Sequence, residues 1–159
     1  MFRRIHLPAV ACLAVLLGLA CGAAPARAAQ PNHPASPDDL LGTWSTEGGE
    51  GVIAIEPCGD ALCGRIVGIV RPPGAPVPTD VHGASQCGLI IITDERPTVD
   101  GSWLGHVTDP RTGITYNAEL WLDAMGNLRL RGYLGVPLLG QTQTWHRFSG
   151  HLTASCALA

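Results

Sequence analysis

Across "TYNAELWLDAMGNLRLRGYLG", apolar and polar residues alternate with a period of two: Tyr116, Ala118, Leu120 and Leu122 on one side, and Asn117, Glu119, Trp121 and Asp123 on the other. Leu128 and Leu130 resume the alternation against Arg129 and Arg131. That is the signature of a half-buried antiparallel hairpin. A three-residue loop at residues 124–126, with Gly126 in the left-handed position, fixes the register. Leu122 then faces Leu128 and Leu120 faces Leu130 on the buried side, with Trp121 opposite Arg129 and Glu119 opposite Arg131 on the wet side. A slip of one residue would place arginines in the core. Further short apolar stretches, bounded by Gly, Pro, Asn and Asp, predict strands over residues 41–46, 51–56, 62–70, 89–93, 103–108 and 141–148. No helical period persists for three turns. The expected fold is all-β and antiparallel, an up-and-down, about eight-stranded barrel or a strongly curved sheet.

The connections are mostly short, as in "DPRTG" at residues 109–113, a proline-started and glycine-closed turn. "EGGEG", residues 47–51, reads as a hairpin turn and lacks the following helix that a phosphate cradle needs. The exception is the proline-rich 71–86 stretch, too long for a hairpin and of the kind that is either a lid or binding element or disordered.

The start of the chain has a different logic. Met1-Phe-Arg-Arg is followed by an apolar run from Leu7 to Ala20 and then by small residues ending in Ala26-Arg27-Ala28. Charged, apolar and small regions in that order predict a signal peptide over residues 1–28 and a periplasmic or secreted product. The run is too short to span a bilayer, and no later segment is longer, so no transmembrane segment is expected. A second processing route, lipidation at Cys21 within "GLAC", would leave a lipid anchor. Residues 29–39, with their prolines, read as a flexible lead-in, and residues 40–159 as a single barrel-like domain. About 130 residues fit one core.

Charge narrows the choice of partner. The sequence has no lysine, and after residue 28 seven arginines less thirteen carboxylates leave a net charge of minus six. Nucleic-acid binding, which rests on clustered positive charge, is excluded. Loss of the leader leaves Cys58, Cys63, Cys87 and Cys156, an even set in a chain bound for an oxidising compartment. Four cysteines permit three pairings; the short spacing favours Cys58 with Cys63 and leaves Cys87 with Cys156. Cys58 and Cys63 sit on either side of a turn at Gly59 and Asp60, where a disulfide staples two strands. A redox motif would separate its cysteines by two residues near a helix start, and a zinc site would need a second ligand pair.

The blocks "GTWST", "IEPCGDALCGRIVGI", "CGLIII", "DPRTGITYNAELWL", "LRLRGYLG" and "QTQTWHRF" resemble, in this order, the bacterial exported proteins grouped as domain-of-unknown-function family 2147. The resemblance runs from Leu40 to Phe148 and implies a periplasmic β-barrel-like domain without an established activity. Family members often carry an Asn, Asp and Pro-rich stretch before the "CGL" position, where this chain is rich in Pro, Gly and Ala. A second resemblance, to lipocalin-like barrels, rests on Gly42 and Trp44 in the first strand and Arg147 in the last. It implies a guanidinium stacked across the indole at one end of the barrel.

Reactive chemistry is sparse. The histidines follow no ligand spacing, no G-x-S-x-G occurs, and neither a metal nor a cofactor is expected. The expected role is that of a non-enzymatic domain that binds a small, partly apolar ligand or a cell-envelope component. The candidate lining is Tyr116, Ala118, Leu120 and Leu130, with Trp44 and Arg147 at one end. Two alternatives stand beside it: an envelope carbohydrate or peptidoglycan hydrolase using carboxylates such as Glu47 and Glu56, and a protein-binding module using the 71–86 loop.

Overall fold

The computed structural model describes residues 36–158. The expected leader, the lipid-anchor position Cys21 and the lead-in as far as residue 35 lie outside the described residues. Eight antiparallel strands in sequence order close into a barrel: β1 Gly42–Ser45, β2 Gly51–Cys58, β3 Ala61–Ile69, β4 Ile90–Pro97, β5 Trp103–Thr108, β6 Thr115–Leu122, β7 Leu128–Tyr133 and β8 Gln141–Arg147. Closure comes from β1 against β8, with Trp44 opposite Arg147 and Ser45 opposite His146. Every strand therefore has two neighbours, and no edge is left open. Among the described residues no helix is long and apolar enough to cross a membrane.

The β6–β7 hairpin has the register that its alternation dictates, with Leu120 opposite Leu130, Leu122 opposite Leu128 and Trp121 opposite Arg129. Gly126 takes φ +79° at the turn, and the Asp123 and Asn127 backbones close it at 2.9 Å. β4 departs from expectation by running to Pro97 rather than stopping near Thr93. Asp94, with φ +57°, bulges the strand between Thr93 and Arg96. The extra residue leaves Asp94 exposed and turns Glu95 inward. A strict alternation would give the reverse.

The lead-in ends sooner than expected, because Pro37–Leu40 form a helical turn, α1. Proline starts it, and the Ser36 N–H donates to the Asp39 carboxylate at 2.8 Å. Leu40 is fully buried, and its carbonyl accepts from Trp44 Nε1 at 2.8 Å.

The Cys58–Cys63 disulfide is present, with Cα atoms 5.7 Å apart. It runs diagonally: Cys58 faces Ala61, and Cys63 faces Glu56. The expected second bridge is absent, since Cys87 and Cys156 carry free thiols. Burial, a hydrogen bond with Cys87 and the charge of Cys87 push the Cys156 thiol up to about 11. Cys156 belongs to a C-terminal strap over the outside of β2 and β3. Its carbonyl accepts from Ile69 N–H at 2.8 Å, and Leu152 and Leu158 lie over Gly68. A Cβ on Gly68 would stand 2.6 Å from Leu152, so only glycine lets the strap lie flat.

Candidate functional site

The barrel has a filled end and an open end. In the filled half, Trp44, Ile55, Leu62, Ile92, Trp103, Ala118, Leu120 and Leu128 form one buried cluster. Its floor is Trp44 with the Arg147 guanidinium 3.9 Å over the ring centroid. That guanidinium also donates to the carbonyls of Asp39 and Leu41, which pins α1 beneath the barrel. Gly42, at φ +112°, makes room for it, because a Cβ there would lie 2.9 Å from Arg147 Nη1. The stacking that the lipocalin resemblance implies is therefore present as a plug.

Toward the mouth the same strands enclose a cavity of about 1270 Å³. Small-molecule pockets usually measure about 300 to 1,000 Å³. Ile53, Ile66, Val107, Tyr116, Leu130 and Trp145 make its deep, largely apolar part. Gly132 contributes by omission: a Cβ there would only touch Val107 and Tyr116, at 3.6 and 3.8 Å, so the glycine leaves space for something else. Polar groups are few. Gln143 Oε1 accepts from Trp145 Nε1 at 2.8 Å, so the Gln143 amide is oriented by the tryptophan beside it. Gln141 and Thr46 also border the cavity.

Charge is confined to the mouth, at Glu50, Asp109 and Arg111. Partial burial raises the Asp109 carboxyl, but the hydrogen bonds and charge of Arg111 outweigh it and hold the group below the usual range. The two form an ion pair at 3.2 Å that adds no net charge to the rim. The 71–86 stretch is folded onto the same rim. Val81 N–H donates to the Pro110 carbonyl at 3.0 Å, and Pro78, Thr79 and Gln86 wall the cavity.

Of the six residues expected to line a pocket, Tyr116 and Leu130 border the cavity. Ala118 and Leu120 do not; they lie at 1 % and 0 % exposure in the filled half. Trp44 and Arg147 stack on each other at the barrel floor and are not part of the cavity wall. Ile53, Ile66, Val107, Gln143 and Trp145 were missed, although the inward Gln-x-Gln-x-Trp of β8 was a readable signal of a wet interior. The carboxylates of the hydrolase alternative have separate partners. Glu56 pairs with Arg65 at 2.9 Å, and Glu47 accepts from the Thr144 backbone on β8 at 3.2 Å. Among the described residues no cluster of His, Cys, Asp and Glu is arranged to hold a metal.

One interior acid was not anticipated. Glu95 is 1 % exposed, with neither carboxyl oxygen hydrogen-bonded, and lies against Gly105. Burial pushes its pKa from an ordinary 4.5 to about 9, so the group is protonated at neutral pH. Trp103 Nε1 is buried and unpartnered as well.

Comparison with other proteins agrees with this architecture. The family model for "Uncharacterized protein conserved in bacteria (DUF2147)" matches residues 42–147. A solved structure described as "Protein HP1028 from the human pathogen Helicobacter pylori belongs to the lipocalin family" superposes with a TM-score of 0.59 at 19% identity. The superposition covers 69% of this chain and 83% of that one. At that identity the likeness establishes the lipocalin-like fold and nothing further. No curated protein matches the chain.

Proposed function

For a chain that belongs to the bacterial DUF2147 family, we propose that the open half of the barrel binds a small amphiphilic molecule in the cell envelope. A single observation carries this reading: the barrel interior is divided into a sealed floor and an apolar cavity of about 1270 Å³ that opens at one end only. Burying an apolar chain there gains about 25 cal/mol per Å² of surface removed from water. The Gln143 amide and the rim hydroxyls suit an uncharged polar head. A charged group deep inside would lose its hydration without an ionic partner.

The leader pattern and the Cys58–Cys63 disulfide support export to the periplasm. N-terminal sequencing of the protein from a periplasmic extract is expected to begin after Ala28. An uncut chain retained in the cytoplasm would contradict export.

The binding reading is tested by native mass spectrometry of protein purified from the cell envelope, before and after organic extraction. The expected result is an adduct of a few hundred daltons that extraction removes. Identical masses before and after would count against a bound envelope ligand.

A further inference from the structure

Seven of the eleven exposed large hydrophobic side chains among the described residues stand on the mouth loops, and four belong to a single connection. That connection, residues 134–140 between β7 and β8, reads Leu-Gly-Val-Pro-Leu-Leu-Gly and has no polar side chain. Leu138 and Leu139 are 86% and 77% exposed, and Leu134 and Val136 are more than half exposed. Leu134 and Leu139 also line the cavity, so the protruding face and the cavity wall are continuous. Val81 and Ile114 extend the apolar rim onto the neighbouring loops.

Part of this loop's backbone is paired from within the chain. Gly140 N–H donates to Pro137 at 2.9 Å, Leu139 N–H to Val136 at 3.2 Å, and Arg131 Nε to the Pro137 carbonyl at 2.7 Å. Pro137 has no N–H to satisfy. Each backbone group paired in this way lowers the polar cost of leaving water for hydrocarbon, and no side chain of the loop adds to that cost.

We propose that the 134–140 loop is a lipid-docking element, which seats the barrel mouth on a bilayer surface so that an amphiphile passes between the membrane and the cavity. A protein partner fits less well. A stable interface uses about 20 to 30 residues a side and about one hydrogen bond per 100 to 200 Å². This loop offers seven residues and no side-chain donor or acceptor. The described residues carry seven arginines against thirteen carboxylates, so attachment is by insertion rather than by attraction to anionic headgroups, and it persists at high salt.

The inference builds on the cavity reading, and the experiment separates the two. The full-length mature protein is floated with vesicles of phosphatidylethanolamine and phosphatidylglycerol, and the fluorescent probe N-phenyl-1-naphthylamine is titrated in parallel without lipid. Wild type is expected to float at low and high salt alike, and Leu138→Asp to partition at least about tenfold less while binding the probe normally. In Leu138→Trp, the fluorescence added over wild type is expected to be quenched by brominated lipid, which reports insertion even if the aspartate variant folds poorly. Wild type that binds the probe but does not float would overturn docking and leave the cavity reading standing. Flotation unchanged in Leu138→Asp would overturn the loop's role. A wild-type dimer that Leu138→Asp dissociates, without flotation, would assign the patch to a second copy of the chain instead.

Discussion

At the floor of the barrel the inward positions of β5, β6, β7 and β8 hold Trp103, Leu120, Leu128 and Trp145; nearer the mouth the same strands hold Val107, Tyr116, Gly132 and Gln143. The backbone pattern is the same at both ends. What differs is the side chains: from floor to mouth, volume falls on β5, β7 and β8, and polar groups enter on β6 and β8. One barrel therefore carries a core and a binding cavity in series, with Trp145 and Leu130 bordering both. Interiors are packed nearly as densely as organic crystals. A space of this size therefore reflects the small and polar residues that leave it, not loose packing at the floor.

Glu95 gives the sharpest way to break the comparison, because it places an acid in the half that should be all core. The carboxyl stays protonated in the fold up to about pH 9, whereas the unfolded chain ionises from about pH 4.5. Its stability contribution is therefore complete below pH 4.5 and drains away as pH rises toward 9. Glu95→Gln is expected to be more stable than wild type at pH 8 by on the order of 4 kcal/mol, and nearly equal to it below pH 4.5. Thermal unfolding at the two pH values reads this directly. Parallel curves for both proteins would show that Glu95 is not buried as a neutral acid.

Leu120→Ala tests the filled half in the ordinary way. Leu120 is fully buried, so its truncation is expected to cost about 3 kcal/mol in denaturant unfolding. A cost below about 1 kcal/mol would mean that the floor is not packed.

Next in size is the plug. Arg147→Met removes the stacking on Trp44 and the hydrogen bonds to the Asp39 and Leu41 carbonyls, with an expected loss of about 2 kcal/mol. Proteolysis near α1 should accelerate in the same variant. No change in either would reduce Arg147 to a surface residue.

The smallest effect belongs to the wall outside both halves. The Glu56–Arg65 pair is about 40% exposed on each side and should couple by less than about 1 kcal/mol in a double-mutant cycle. Stronger coupling would indicate that the outer face near the disulfide is less solvated than it looks.

The strand order and the β6–β7 register were legible because alternation and turn chemistry agree there, residue by residue. The Gly42, Trp44 and Arg147 plug could be read for the same reason, as three residue types in one geometric relation. The division of the interior could not. Alternation states which side a residue faces but not how far along the barrel axis it lies, so Ala118 and Leu120 were grouped with Tyr116 and Leu130. Glu95 was hidden by the bulge at Asp94, since one inserted residue reverses sidedness without a mark in the hydrophobic pattern. The free thiols at Cys87 and Cys156 show the same limit, because counting cysteines fixes neither their distance nor their bonding.

The central claim is that the mouth half is a usable cavity, and filling it tests the claim most directly. Gly132→Leu adds a side chain beside Val107 and Tyr116 without backbone strain. Titration with N-phenyl-1-naphthylamine should give saturable fluorescence enhancement in wild type and at least about tenfold weaker binding in Gly132→Leu at unchanged stability. Equal enhancement in the two proteins, or none in wild type, would contradict the account.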